Sequence, residues 1–130
     1  MTHVLDIDLD TVPVRGMNAH DHWRNRANHS KLVRTAVAWL AKAHMPTPVF
    51  DNGPITISIT LLAPDRRRRD PDGIAATAKP IIDALVDAGW FPDDSWHHVE
   101  SVTYSTFPAA DMAQQPGWVV AVAYADVKAA

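Results

Sequence analysis

Residues 55–89 read ITISITLLAPDRRRRDPDGIAATAKPIIDALVDAG. At the front, Ile55, Ile57, Ile59 and Leu61 alternate with Thr and Ser, the period-two pattern of a strand with one face buried. At the back, Ile81, Ile82, Leu85 and Val86 form a helical stripe that Gly89 ends. A strand joined to a helix through a charged segment is the unit of a sheet-and-helix architecture. Pro80 predicts a break or kink near Thr77–Pro80, with the regular helix following it to Gly89. Proline lacks the N–H a helix interior needs and biases Lys79, the residue before it, away from helical angles.

The elements on either side extend this reading. Leu5, Ile7 and Leu9 alternate with Asp6 and Asp8, which predicts a half-buried strand over residues 3–9. From Val12 to about Asn28 there is no clear period, and a long loop is expected. Ser30 is a plausible N-cap for a first helix in which Val33, Ala36, Val37, Leu40 and Ala43 recur until Pro46 and Pro48 stop the run. Two further strands are expected at His98–Phe107 and Trp118–Val127, separated by a Pro108–Gly117 loop. The order β-α-β-α-β-β, without internal repeats, predicts an α/β (α+β) two-layer sandwich, a mixed sheet with two helices, as a single domain over residues 1–130.

Composition narrows the function classes. The chain has 130 residues, 47% hydrophobic and 21% charged, and no apolar run approaching the roughly 20 residues of a membrane span. The opening MTHVLDIDLD carries acid where an export signal carries base, so a soluble, cytoplasmic protein is expected. The absence of cysteine excludes disulfides, thiolate metal sites and cysteine nucleophiles. A formal net charge of −3 argues against a general nucleic-acid coat, yet four arginines are consecutive, Arg66 to Arg69, so a local basic patch is available. Fourteen of the fifteen acids are Asp, a short carboxylate suited to turns, caps and metal ligation.

The chemistry concentrates in residues 64–96. Asp70 and Asp72 flank Pro71, and on an extended backbone residues two apart point to the same side, so the two carboxylates are expected to converge. Oxygen-only ligation of this kind suits Mg²⁺ or Mn²⁺ rather than zinc. The alternative is a D-P-D turn whose acids merely cap the following helix. Lys79 supplies a positive charge for an anionic transition state, Arg66, Arg67, Arg68 and Arg69 are available for phosphates, and Asp93 with Asp94 adds carboxylate one helix later. Together these residue types describe phosphodiester chemistry. By alternation, Arg67 and Arg69 share one side of an extended segment and Arg66 and Arg68 the other, and a bend near Asp70 is needed for Arg69 to reach the scissile strand.

Other residues have weaker claims. Asp83, one turn beyond Lys79, either supports that lysine or faces solvent. His97 and His98 are adjacent at the start of a strand and face opposite ways, which disfavours joint metal ligation. Asn18, His20, His22, Trp23, Arg24 and Arg26 mix aromatic and basic groups, as single-strand or junction-binding loops do, or form an ordinary polar loop with Trp23 packed on the core.

This segment resembles the signature of the RusA-type Holliday-junction resolvases, in which a strand ends in P-D-R-R-R-R-D-x-D-N, a lysine follows on a helix, and a D-D pair comes after an A-L-x-x-A-G turn. The likeness covers about a quarter of the chain. It implies a magnesium-dependent, homodimeric endonuclease that resolves four-way DNA junctions by paired nicks. Asp70, Asp72 and Asp94 would be metal ligands, Lys79 the catalytic lysine, and Arg69 the foremost DNA-contacting arginine. Gly73 replaces the family's Asn, and Lys79 lies seven residues after Asp72 where four is commoner. Two competing expectations are a non-catalytic junction-binding dimer and a DxD enzyme acting on nucleotides through the same metal pair.

Overall fold

The computed structural model describes residues 2–13, 23–44, 50–51 and 53–125, the side chains of residues 23–27 excepted. Within these lie strand β1 (Thr2–Asp8), helix α1 (Trp23–His44), strand β2 (Ile55–Ala63), helix α2 (Ala75–Asp87), strand β3 (Val99–Pro108) and strand β4 (Gly117–Tyr124). Short 3-10 turns, Pro71–Ile74 and Ala109–Met112, lead into α2 and out of β3. The four strands form one mixed sheet in the order β1-β4-β2-β3, with β2 antiparallel to β4 and parallel to β3, and β1 antiparallel to β4. A parallel neighbour requires a crossover. The α2 segment between β2 and β3 is that crossover. The protein is thus an α+β fold with two helices beside a mixed sheet, as its sequence predicts.

Alternation decides which face the helices take. Ile55, Ile57, Ile59 and Leu61 of β2, Trp118, Val120 and Val122 of β4, and Leu5 and Ile7 of β1 are buried in one cluster with Val33, Val37 and Ala41 of α1 and Ala78, Ile81, Ile82 and Leu85 of α2. Each fully buried aliphatic side chain of this kind contributes about 1.5–3 kcal/mol. The opposite sheet face carries small residues, with Ser58 paired to Ala121 and Thr103, and Thr60 to Val119 and Ser105. Where β1 meets β4, Gly117 is obligatory by space, because a Cβ there would stand 2.7 Å from the Ile7 carbonyl oxygen.

Two expectations are corrected. Residues 23–28 are helical rather than loop, so α1 begins at Trp23 and Ser30 lies inside it instead of capping it. Residues 23–29, WRNRANH, lack an apolar period, but Arg and Ala are good helix formers, and propensity extends the helix where burial leaves no trace in the pattern. Likewise α2 starts at Ala75 and runs continuously through Pro80, with Lys79 helical. Pro80 is itself buried beside Ile81 and Ile82, and this packing offsets a backbone cost of about 3 kcal/mol. Residues 14–22, with Asn18, His20 and His22, and residues 126–130, including Val127, lie outside the described residues.

The end of α2 is locked. Gly89, at φ 83°, donates its N–H to the Val86 carbonyl and Trp90 donates its own to Leu85, the paired bonds of a Schellman cap. The Trp90 indole N–H then reaches the Ala41 carbonyl at 3.1 Å. That carbonyl belongs to the last turn of α1, where no intrahelical donor remains. Trp90 therefore helps close both helices, α2 through its backbone N–H and α1 through its indole, and its backbone carbonyl accepts the Phe50 N–H at 2.9 Å.

Candidate active site

The site is assembled at the C-terminal end of β2, where the chain leaves the sheet as Pro64–Asp70. Asp65 organises the arginines. Its carboxylate accepts the Arg67 backbone N–H at 3.0 Å and the Arg69 guanidinium at 2.7 Å, and stands 3.8 Å from the Arg67 guanidinium. Hydrogen bonding to Arg69 holds the Asp65 carboxyl below the usual carboxylate range. Arg66 turns away to Asp111 in the turn after β3, at 2.5 Å. Arg67 and Arg69 thus meet at Asp65, while Arg66 pairs with Asp111. The four are unequal in availability: the Arg69 side chain is 20% exposed and doubly bonded to Asp65, whereas Arg67 is 84% exposed. Arg68 is exposed and makes no ion pair with the described residues.

Asp70 keeps extended angles (φ −90°, ψ 140°), but the chain then turns at once, since Pro71–Ile74 is a 3-10 helix with Pro71 in its first turn. The expected strand geometry for the DxD pair is therefore corrected. Asp72 lies inside a helical turn, so alternation along an extended chain does not set its direction. The capping alternative finds no support in hydrogen bonding, because Asp70 occupies the N-cap position without a side-chain cap bond. Both carboxylates are exposed, and neither has a hydrogen-bonding or ion-pair partner among the described residues.

Lys79 is the other focus. Its ammonium bonds Asp94 closely and stands 3.1 Å from Asp83, one turn on along α2. Hydrogen bonding to Asp94, opposed by partial burial and reinforced by Asp83, raises the pKa of Lys79, so the side chain is firmly cationic. Asp94 arrives there because its neighbour shapes the turn. Asp93 accepts the Ser95 N–H at 2.7 Å, the Ser95 carbonyl accepts both His98 and Val99 N–H groups, and Asp94 is left facing α2. Of the D-D pair, Asp93 is structural and Asp94 reaches the lysine. His98 Nε2 stands 3.8 Å from Asp93, while His97 stacks on Trp96, so the two histidines diverge.

Sequence reasoning missed Arg34. From α1 it grips Asp87 with two bonds, 2.5 and 2.8 Å, and Asp83 and Asp94 also lie within its electrostatic reach. Lys79, Asp83 and Asp87 recur every four residues of α2, so this helix presents an acidic edge answered by Lys79 from within and Arg34 from α1. The spacing of the aspartates was readable, but nothing local marks Arg34 as their partner across 53 residues.

Among the described residues, no three acidic or histidine side chains gather into a set able to hold a metal ion. Asp70, Asp72 and Asp94 are thus not brought into one cluster: two stand free and the third is held by Lys79. The donor chemistry nonetheless fits Mg²⁺, which is commonly bound through one or two carboxylates, with water and substrate phosphate completing its shell. No helix among the described residues is long and apolar enough to cross a membrane. A scan against protein-family models found no match, and a search of curated proteins likewise found none.

Proposed function

We propose that the chain is a magnesium-dependent endonuclease acting on branched DNA in the cytoplasm, a Holliday-junction resolvase working as a two-fold homodimer. The observation that carries this reading is the pair of carboxylates, Asp70 and Asp72, left without partners at the end of an arginine-rich segment leading into the helix that bears Lys79. Asp70 makes no side-chain cap bond, and neither carboxylate neutralises an arginine, so both are available to a ligand.

In this reading Asp70 and Asp72 would hold the divalent cation, which would supply an activated water and neutralise charge at the scissile phosphate, and Asp94 would join them only on release from Lys79. Arg67 and Arg68, the more available arginines, bind flanking phosphates. Lys79 offsets the charge that develops in the transition state or on the leaving oxygen. Arg69 acts chiefly by fixing Asp65 and the path of the segment. A four-way junction presents two equivalent strands, and a two-fold dimer offers one site to each.

The deciding experiment compares a synthetic four-way junction with a linear duplex of matched sequence, with and without Mg²⁺. Symmetric paired nicks in the junction alone, dependent on Mg²⁺ and lost in Asp70→Asn, are expected. Tight junction binding without cleavage would replace the enzyme with a non-catalytic junction-binding protein. Equal indifference to both DNAs would remove the nucleic-acid reading altogether.

A further inference from the structure

Both helices pack on one face of the sheet, and the strand register fixes what the other face presents. One row across it is Val4, Ala121, Ser58 and Thr103, and the next is Asp6, Val119, Thr60 and Ser105. A strand face left to water normally alternates to polar and charged residues, and about 25–35% of a protein surface is charged. In these rows β2, β3 and β4 carry no charge at all, while Val4 at one margin and Phe107 at the other are 43% and 47% exposed. Deepening the homodimer of the reading above, we propose that this face seats the same face of a second copy, with β1 of each chain over β3 of the other and β4 over β2.

Area, charge and chemistry each favour that occupant. Four strands about 4.8 Å apart and seven residues long give a flat footprint of roughly 440 Å². Side-chain relief and the surrounding loops raise it toward the ~800 Å² per partner of a standard interface. Charge selects the orientation. A two-fold axis between face-to-face sheets lies in their common plane, either across the strands or along them. Across the strands, it stacks β1 on its own copy and sets Asp6 against Asp6, which like charge disfavours. Along the strands, it reverses the strand order, so the acidic β1 edge meets the neutral Ser and Thr of β3. The hydroxyls of Ser58, Thr60, Thr103 and Ser105 can bond one another or bridging water when covered, which a buried lysine or glutamate could not do without a partner. The other exposed apolar side chains, Leu32 and Trp39 on α1, make a poorer seat for a second copy. That helix carries Lys31, Arg34 and Lys42 and no acid, so two copies of it repel.

Sedimentation and cross-linking test the face without DNA. Ala121→Lys, at its centre, is expected to shift the chain from twice its mass to its single mass, with circular dichroism and urea midpoint retained because a lone lysine there reaches water. Thr35→Lys, exposed on α1, is expected to leave the dimer whole; equal dissociation by both would show a general charge effect and overturn the proposal. The chain has no cysteine, so introduced thiols report cleanly. Val4 and Thr103 stand three strand spacings apart within one chain, about 14 Å, but lie over each other in the proposed pair. The double variant Val4→Cys, Thr103→Cys is expected to form a covalent dimer with a bismaleimide too short to span that distance, and neither single variant is. A covalent dimer from Val4→Cys alone would put β1 on β1 and overturn the arrangement. A dimer that survives Ala121→Lys overturns the face and leaves the homodimer standing. A wild-type chain that stays monomeric overturns both, and the junction-cleavage assay judges the nuclease separately.

Discussion

Removing a single charge distinguishes the roles of the site residues. Asp70→Asn and Asp72→Asn take away carboxylates that bond nothing among the described residues, so the melting temperature is expected to hold while Mg²⁺-dependent cleavage is lost and junction binding persists. Lys79→Ala should lose on the order of 10² to 10³ in cleavage rate, with junction affinity little changed, since a preorganised charge acts mainly on the transition state. Single-turnover kinetics check both. For the arginines, Arg67→Ala and Arg68→Ala should each lower the log–log salt dependence of junction binding by about one unit. Arg69→Ala should lower it less, because its guanidinium is already committed to Asp65. Unchanged slopes in all three variants would show that the run is only a solvated charge cluster. Acid sensitivity has a different origin. Hydrogen bonding to Arg34 holds the Asp87 carboxyl below its ordinary value, so the stability this pair contributes is present above that value and disappears as pH falls through the lowered one. Asp87→Asn should therefore unfold at lower urea than wild type near neutrality, and the gap should close in acid. The acids and the lysine of this site were legible from residue type and spacing. Their partners were not: that Asp94 rather than Asp93 reaches Lys79 depends on the Ser95 turn, and Arg34 is joined to Asp87 only by the packing of two helices.

At the level of elements, the strands were readable because burial on one face writes a period of two into the sequence, as in Ile55, Ile57, Ile59 and Leu61. Helix starts were less so. The sequence of the first turns of α1 carries no apolar period, and Pro80 signals a break that the buried surroundings of α2 override. The DxD turn failed for the same reason at shorter range: proline is compatible with both an extended chain and the first turn of a helix, and here the helix wins. Glycine punctuation was dependable where it has a steric cause. Gly89 adopts φ 83° within the Schellman cap, so Gly89→Ala should cost about 1–2 kcal/mol in chemical denaturation. Gly117→Ala should cost about 1–3 kcal/mol by forcing β1 and β4 apart at the Ile7 carbonyl. An unchanged urea midpoint for Gly117→Ala would show that the strand edge yields freely.

For the whole molecule, the formal charge of −3 coexists with an exposed basic segment at one end of the sheet, so binding to DNA should be oriented and strongly salt-dependent rather than general. Sedimentation at several protein concentrations is expected to give twice the chain mass, as a two-site junction resolvase requires; a strict monomer that still makes paired nicks would break that link. The placement of the indoles makes such events visible without a label. Among the described side chains, Trp90 and Trp118 are sealed in the interior, whereas Trp39 and Trp96 are 73% and 79% exposed. Emission from the sealed pair should lie toward the blue and resist iodide, and emission from the exposed pair toward the red and yield to it. Trp96 stacks on His97 with ring centroids 3.9 Å apart, two residues past Asp94. A DNA arm laid across that turn would shield one indole from the quencher and leave the sealed pair untouched, so the protein carries its own optical gauge of occupancy beside the residues that would do the cutting.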